Sequence, residues 1–344
     1  MQTPPPGDPG RYARQTASGL ISPEGQRKLA GSSILLVGCG ALGGPLAGLL
    51  VRAGVGGLVI ADRDVVELHN LQSHQLYDEN DVRERLPKAE AAARRLRAIN
   101  SSVRVEALVA DVTAGRIEGL AARADLILDG TDNFETRYLL NDAAVKLGKP
   151  WIYGGLLGTG GMTLTVLPGR GPCLRCLFPE PPAPGSQPTC DTRGVLNTAA
   201  AWVTAVQATE AIKLLSGRES EAGGFRILDV WTGTAQSPVA ERKGDCPCCG
   251  RRDFEFLDAR RGSSATRLCG RGAVQIMPER PVRTDLVLLK ERLAPLGKVT
   301  HNGLLLEFTA GERRLVVFPD GRVLVMGTKD IAEARSLAAK YIGS

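Results

Sequence analysis

Residues 34–51 run for eighteen positions without a charge, long enough for a membrane span, yet they cannot form one helix. Ile34-Leu-Leu-Val37 is a short β-rich run after Ser32-Ser33, the stretch Gly38 to Gly44 breaks it, and Pro45 to Ala53 resumes at helical length. Val55 to Ala61 reads as a second strand, with Asp62 at its end. This order predicts a β-turn-α-β unit of about thirty residues. In Gly38-Cys39-Gly40-Ala-Leu-Gly43, the three glycines permit a tight turn, close backbone approach to a phosphate and close helix packing. The helix N-terminus behind them supplies N–H donors to an anion. A glycine-rich turn without a nucleotide is the alternative, and the strand before it, the helix after it and Asp62 argue against it.

The alternation continues. Arg83 to Ile99 predicts a helix, Val103 to Val109 a strand, Ile117 to Ala122 a short helix, Leu126 to Leu128 a buried strand, Phe134 to Leu147 a helix and Trp151 to Tyr153 a strand. Such a pattern predicts an α/β fold with a doubly wound, mostly parallel, Rossmann-like sheet. After Gly154 a β-rich half follows: a strand from Gly161 to Leu167, a long helix from Val195 to Leu215 and a strand from Phe225 to Trp231. Pro179 to Pro188 holds five prolines in ten residues, so about 179–194 is expected to be a mobile crossover loop.

Beyond Gly250 a separate module begins. Strands are expected at Ala273–Ile276, Leu304–Phe308, Leu315–Phe318 and Val323–Met326, with helices at Leu286–Leu296 and Asp330–Tyr341. This predicts a small C-terminal α+β domain over 265–344, after a main domain at 11–255 and a disordered tail at 1–10 rich in Pro and Gly. Its only thiol is Cys269, read as a buried residue or a second relay thiol.

The formal charge of +6 comes from 43 basic and 37 acidic residues spread along the chain, and aromatics make up 4%. Neither value suggests a nucleic-acid surface. The first residues carry no apolar signal-peptide stretch, so a cytoplasmic protein is expected, where thiols more often bind metal or react than cross-link. Cys173-Leu-Arg-Cys176 and Cys246-Pro-Cys248-Cys249 each present a pair of thiols from one knuckle. Two such knuckles can close a tetrahedral zinc site on Cys173, Cys176, Cys246 and Cys249, with Cys248 left over. Cys39, inside the glycine turn, is read as a packing residue.

A nicotinamide-dependent dehydrogenase would account for the glycine turn but not for the rest. Taken in order, Arg11-Tyr-Ala-Arg14-Gln15, the glycine turn, Asp62-Arg-Asp64, Asn70-Leu-Gln72, Pro87-Lys88, Asp129-Gly-Thr131-Asp132-Asn133 and both cysteine pairs resemble the ThiF/MoeB/HesA family from about Arg11 to Gly250. The resemblance implies an ATP-dependent adenylyltransferase acting as a homodimer on a ubiquitin-like (β-grasp) sulfur-carrier protein ending in Gly-Gly, with a sulfur-donor protein among its partners. It implies ATP at Gly38, Gly40 and Gly43, ribose contacts from Asp62, further nucleotide contacts from Asp64, phosphate contacts from Asn70 and Lys88, Mg²⁺ on Asp132, and Arg14 supplied to the partner's site from a loose N-terminal segment. Cys190, in Thr189-Cys190-Asp191, matches the loop cysteine that some relatives use in a covalent or sulfur-relay step. The duller readings are that Asp62 and Asn70 cap elements, that Lys88 and Arg14 are solvated charges and that Cys190 is an unused loop thiol. In the family an arginine usually follows Asn-Leu-Gln, but Ser73 and then His74 stand here, with Arg83 and Arg85 as conceivable substitutes. That departure keeps open a degenerate adaptor that binds nucleotide or carrier without efficient turnover.

Overall fold

The computed structural model describes residues 10–182, 190–261, 265–268, 273–278 and 282–343. The chain divides into two compact units, Met1–Arg261 and Gly262–Ser344.

In the first unit two short helices, α1 (Ala13–Ala17) and α2 (Pro23–Gly31), precede β1 (Ser33–Val37), α3 (Gly43–Ala53) and β2 (Gly57–Ala61). There follow α4 (Glu79–Arg83), α5 (Lys88–Ile99), β3 (Arg104–Leu108), α6 (Ala114–Ala122), β4 (Leu126–Asp129), α7 (Phe134–Leu147), β5 (Trp151–Leu157), β6 (Gly160–Val166), α8 (Leu174–Leu177), α9 (Cys190–Arg193), α10 (Asn197–Leu215), β7 (Gly224–Asp229) and β8 (Thr234–Gln236). The sheet order is β3-β2-β1-β4-β5-β6-β7-β8. The first five strands are parallel and the last three join antiparallel, which is the expected doubly wound sheet with its β-rich half. Because strand residues alternate in direction, Leu35 and Val37 of β1 pack with α6 and α7, while Leu36 lies toward α3. The chain leaves β1 toward β2 on one side and returns at β4 on the other. That reversal opens a crevice beyond the C-terminal ends of β1 and β4.

Three differences from the sequence reading have physical causes. Arg83 to Ile99 is not one helix: α4 ends at Arg83, Arg85 takes a left-handed φ of 51°, and α5 starts after Pro87, whose ring cannot continue a preceding turn. The N-terminal segment is not loose, since Tyr12 is buried and its hydroxyl accepts from Asn100 Nδ2 at 3.0 Å, while Gln15 Nε2 donates to the Ala53 carbonyl at 3.0 Å. The strand after α7 extends to Leu157 through Gly154-Gly155, where a Cβ at Gly154 would crowd the amide of Gln207 on α10. Of the loop expected at about 179–194, residues 183–189 lie outside the described residues, as do residues 1–9 of the tail and Cys269, while Cys190–Arg193 forms α9.

The second unit has β9 (Ala265–Leu268), β10 (Ala273–Ile276), α11 (Leu286–Leu293), β11 (Lys298–His301), β12 (Leu306–Ala310), β13 (Arg313–Val317), β14 (Val323–Met326) and α12 (Ile331–Tyr341). Its antiparallel sheet, β11-β12-β13-β14-β10-β9, packs Phe308, Leu315 and Val325 against Leu289 and Leu293 of α11 and Ala334 of α12. Asp330 caps α12 by accepting from the N–H groups of Ala332 and Glu333. The helix expected over Leu286–Leu296 tightens to a 3-10 turn at Ala294, where Pro295 follows.

Candidate functional site

The glycine turn forms the floor of the crevice. Gly38 has φ +84°, and a Cβ there would stand 2.7 Å from the backbone of Gly130, so an L side chain is excluded by conformation and by space. A Cβ at Gly43 would overlap the Gly38 carbonyl oxygen. The turn after β1 and the turn after β4 therefore pack backbone to backbone, with Gly130 N–H donating to the Val37 carbonyl at 2.8 Å. Cys39 is fully buried, and burial pushes its thiol up to about 12, which fits a packing residue.

Asp62 organises the mouth of this turn. Its Oδ2 accepts from the Cys39 N–H at 2.7 Å and its Oδ1 from the Asp64 N–H at 2.7 Å, leaving each oxygen a further lone pair. Burial raises its pKa, and the charge of Lys88 opposes that rise. Lys88 is 4% exposed, and its Nζ pairs with Asp64 Oδ2 at 3.2 Å. It is therefore no solvated charge. Arg63 joins the cluster through Asp111 at 2.9 Å; burial works against its charge, but Asp111, Asp64 and Asp132 hold its pKa above the ordinary arginine value. Asp132 is exposed, in the turn ahead of α7. Asn70 is buried, and its Oδ1 accepts from the Glu67 N–H at 3.1 Å, closing a capping box. The capping role weighed from sequence is thus present.

Two other expected residues lie on elements outside the glycine turn. Arg14 is exposed on α1, which is anchored at Ala53, the last residue of α3. The glycine turn lies at the opposite end of that helix, about 16 Å away for its eleven residues. Cys190 opens α9, and Gly194 beyond it accepts from Gly158 at the β5–β6 turn, on the same edge of the sheet as the crevice. The Cys190 side chain is outside the described set.

Sequence reasoning missed two supports. Arg137, one turn into α7, donates to Asp129 Oδ2 at 3.2 Å and to the carbonyls of Thr131 at 2.6 Å and Gly154 at 3.0 Å, with its guanidinium beside Phe134 and Tyr153. Asp129 is wholly buried; burial raises its pKa, while Arg137 and Thr131 counter the rise. Tyr77 donates to the Cys39 carbonyl at 2.6 Å, with the Lys88 carbonyl 3.2 Å away, so it ties the glycine turn to the start of α5. An arginine four residues past Asn133 was the available signal for the first; nothing local marked the second.

The two cysteine knuckles do meet. The sulfurs of Cys173, Cys176, Cys246 and Cys249 all lie within 4.8 Å of one another, and all four residues are buried. Cys173 and Cys246 are 3.6 Å apart, Cys176 and Cys249 3.4 Å. Tetrahedral zinc with about 2.3 Å bonds needs sulfurs about 3.8 Å apart, so this donor set fits the ion. Asn141 of α7 joins both knuckles: Oδ1 accepts from Leu174 N–H at 2.9 Å and Nδ2 donates to Cys248 Sγ at 3.1 Å.

Among the described residues no helix is long and apolar enough to cross a membrane. Comparison with known proteins matches residues 12–248 to the model of the ThiF family. The sulfur carrier protein ThiS adenylyltransferase of Bacillus subtilis is 47% identical over 337 residues, covering 97% of this chain and 99% of that protein, so the match takes in the second unit. The sulfur carrier protein adenylyltransferase of Thermus thermophilus is 41% identical over 246 residues, covering 70% of this chain and 90% of that protein. Among solved structures, Escherichia coli MccB shares the fold with a TM-score of 0.63 at 20% identity, over 71% of this chain and 73% of that one.

Proposed function

Because this chain belongs to the ThiF family, we propose that it is an ATP-dependent adenylyltransferase of a small β-grasp sulfur-carrier protein. In the reaction a carboxylate oxygen of the carrier's terminal Gly-Gly attacks the α-phosphorus of ATP. The bond from that phosphorus to the bridging oxygen breaks, pyrophosphate leaves, and an acyl-adenylate remains. Such a transfer needs its phosphate charge neutralised more than it needs an acid or a base. The glycine turn would supply backbone N–H groups, Asp62 would accept from the ribose, Asp64 and Asn70 would line the nucleotide, and Asp132 would hold the Mg²⁺ of the Mg·ATP substrate. Lys88 would exchange its partner Asp64 for phosphate oxygens.

The observation that carries this reading is the buried Lys88–Asp64 pair beside Asp62 at the C-terminal edge of the sheet. Hydride transfer requires no lysine there, whereas a triphosphate does. Zinc on Cys173, Cys176, Cys246 and Cys249 would be structural, because four sulfurs leave no open position. Arg14, remote from its own chain's glycine turn, would serve the partner's site in a homodimer. Cys190 would be the loop thiol that takes the acyl group from the adenylate with release of AMP.

The test is carrier-dependent exchange of pyrophosphate into ATP, in the wild type and in Asp132→Ala. Exchange in the wild type and none in a folded variant is expected. Exchange that survives in the variant removes the Mg²⁺ role of Asp132. Carrier binding without any exchange by the wild type would favour the adaptor reading.

A further inference from the structure

The second glycine of a phosphate-binding turn clears the room through which a pyrophosphate passes. Here that glycine is Gly40, and a Cβ built on it would stand 3.4 Å from both Cε1 and Nε2 of His74. The Nε2 edge of the imidazole thus faces the space that the missing side chain leaves. Several contacts hold it there. The N–H groups of Ser73 and His74 both donate to the Asn70 carbonyl, at 3.0 and 2.9 Å. The ring of Tyr77 meets the imidazole edge-on at 6.0 Å, while the Tyr77 hydroxyl is bonded to Cys39 in the same glycine turn. Leu76 lies over Gly44 and Gly48, at 3.7 and 4.0 Å from where their Cβ atoms would be. Gly40, Gly44 and Gly48 follow one another at helical spacing, so the segment carrying His74 and Leu76 beds along a face without side chains. Ser73 is only 6% exposed and has little surface to offer a ligand.

Resting on the reading of the crevice as an ATP site, we infer that His74 contacts the nucleotide's phosphates through Nε2. Imidazole can donate from Nε2 in its neutral and its protonated form. Loss of one hydrogen bond to a charged acceptor corresponds to about tenfold or more in affinity.

Equilibrium dialysis of the full chain against ATP and against adenosine, for the wild type, His74→Ala and His74→Gln, tests this. His74→Ala should weaken ATP about tenfold while leaving adenosine unchanged, and His74→Gln, which keeps a donor, should recover part of the loss. ATP binding that is unchanged or tighter in His74→Ala would overturn the inference, as would equal losses for ATP and adenosine, which would mean that the ring only packs. A wild type that binds ATP no better than adenosine would overturn the phosphate site itself, and the inference with it.

Discussion

Replacing Arg137 with methionine should separate the crevice's electrostatics from its packing. Methionine keeps an apolar stem beside Phe134 and Tyr153 but removes the charge facing Asp129, a carboxylate with no exposed surface. Breaking a buried ion pair from one side costs about 3–5 kcal/mol, because the remaining charge has no solvent. Two carbonyls, Thr131 and Gly154, also lose their donor, at about 1–3 kcal/mol that does not depend on pH. The pH dependence identifies the carboxylate. Burial already raises the Asp129 pKa, and removing Arg137 must raise it further. A group whose folded-state pKa is raised has its full stabilising effect below the unfolded pKa and loses it as pH rises through the folded one. The variant's deficit should therefore grow as pH rises and narrow as pH falls toward the range where the carboxyl is protonated in both proteins, leaving the carbonyl part. Urea unfolding followed by tryptophan fluorescence measures it, since Trp151, Trp202 and Trp231 all lie in the first unit. A deficit under about 1 kcal/mol, or one that does not narrow as pH is lowered, would refute the reasoning.

Three further outcomes are expected. Elemental analysis of protein prepared without chelator should find close to one zinc per chain, and metal-free protein with its four thiols intact would remove the ion from the cysteine cluster. Ser73→Arg should fail to raise the exchange rate, because Ser73 is nearly buried and His74 already faces Gly40; a faster variant would show that a phosphate contact was simply missing. Arg14→Ala and Asp132→Ala should each be inactive alone, yet mixing them should restore roughly a quarter of wild-type exchange, since half the dimers would be mixed and each would hold one intact site. No recovery after confirmed subunit exchange would mean that Arg14 does not act across a dimer.

What the sequence made legible were features carried by one residue type at a fixed spacing. Gly38 and Gly43 announced the turn because a side chain at either would run into backbone, and the two cysteine pairs announced the cluster because four soft ligands have few other uses. What it hid depends on partners far along the chain. Tyr12 is held in place by Asn100 and lies against Gly54, where a Cβ would collide with its ring, and both partners are far along the chain. The break before α5 turns on Arg85 adopting φ 51°, a conformation that arginine does not advertise. Lys298–His301 was missed as a strand because its exposure alternates and its apolar content is low, as befits the edge of a sheet.

The same helix serves the crevice and the cysteine cluster, which explains why two sites so different in chemistry share one unit. Asn133 caps α7 through the Thr136 N–H at 2.8 Å, directly after exposed Asp132. Arg137 fixes the next turn to Asp129, and Asn141, four residues on, reaches both knuckles. Asp142 then accepts from the Phe256 N–H at 3.0 Å, drawing the segment beyond the second knuckle onto the same helix. Residues four apart on a helix share a face, so the contacts of Arg137 and Asn141 brace α7 along one line. A metal with four sulfur ligands would do no chemistry on a substrate from there. By tying two distant segments to α7, it would limit how far that helix can shift, and with it the turn that presents Asp132 to the crevice.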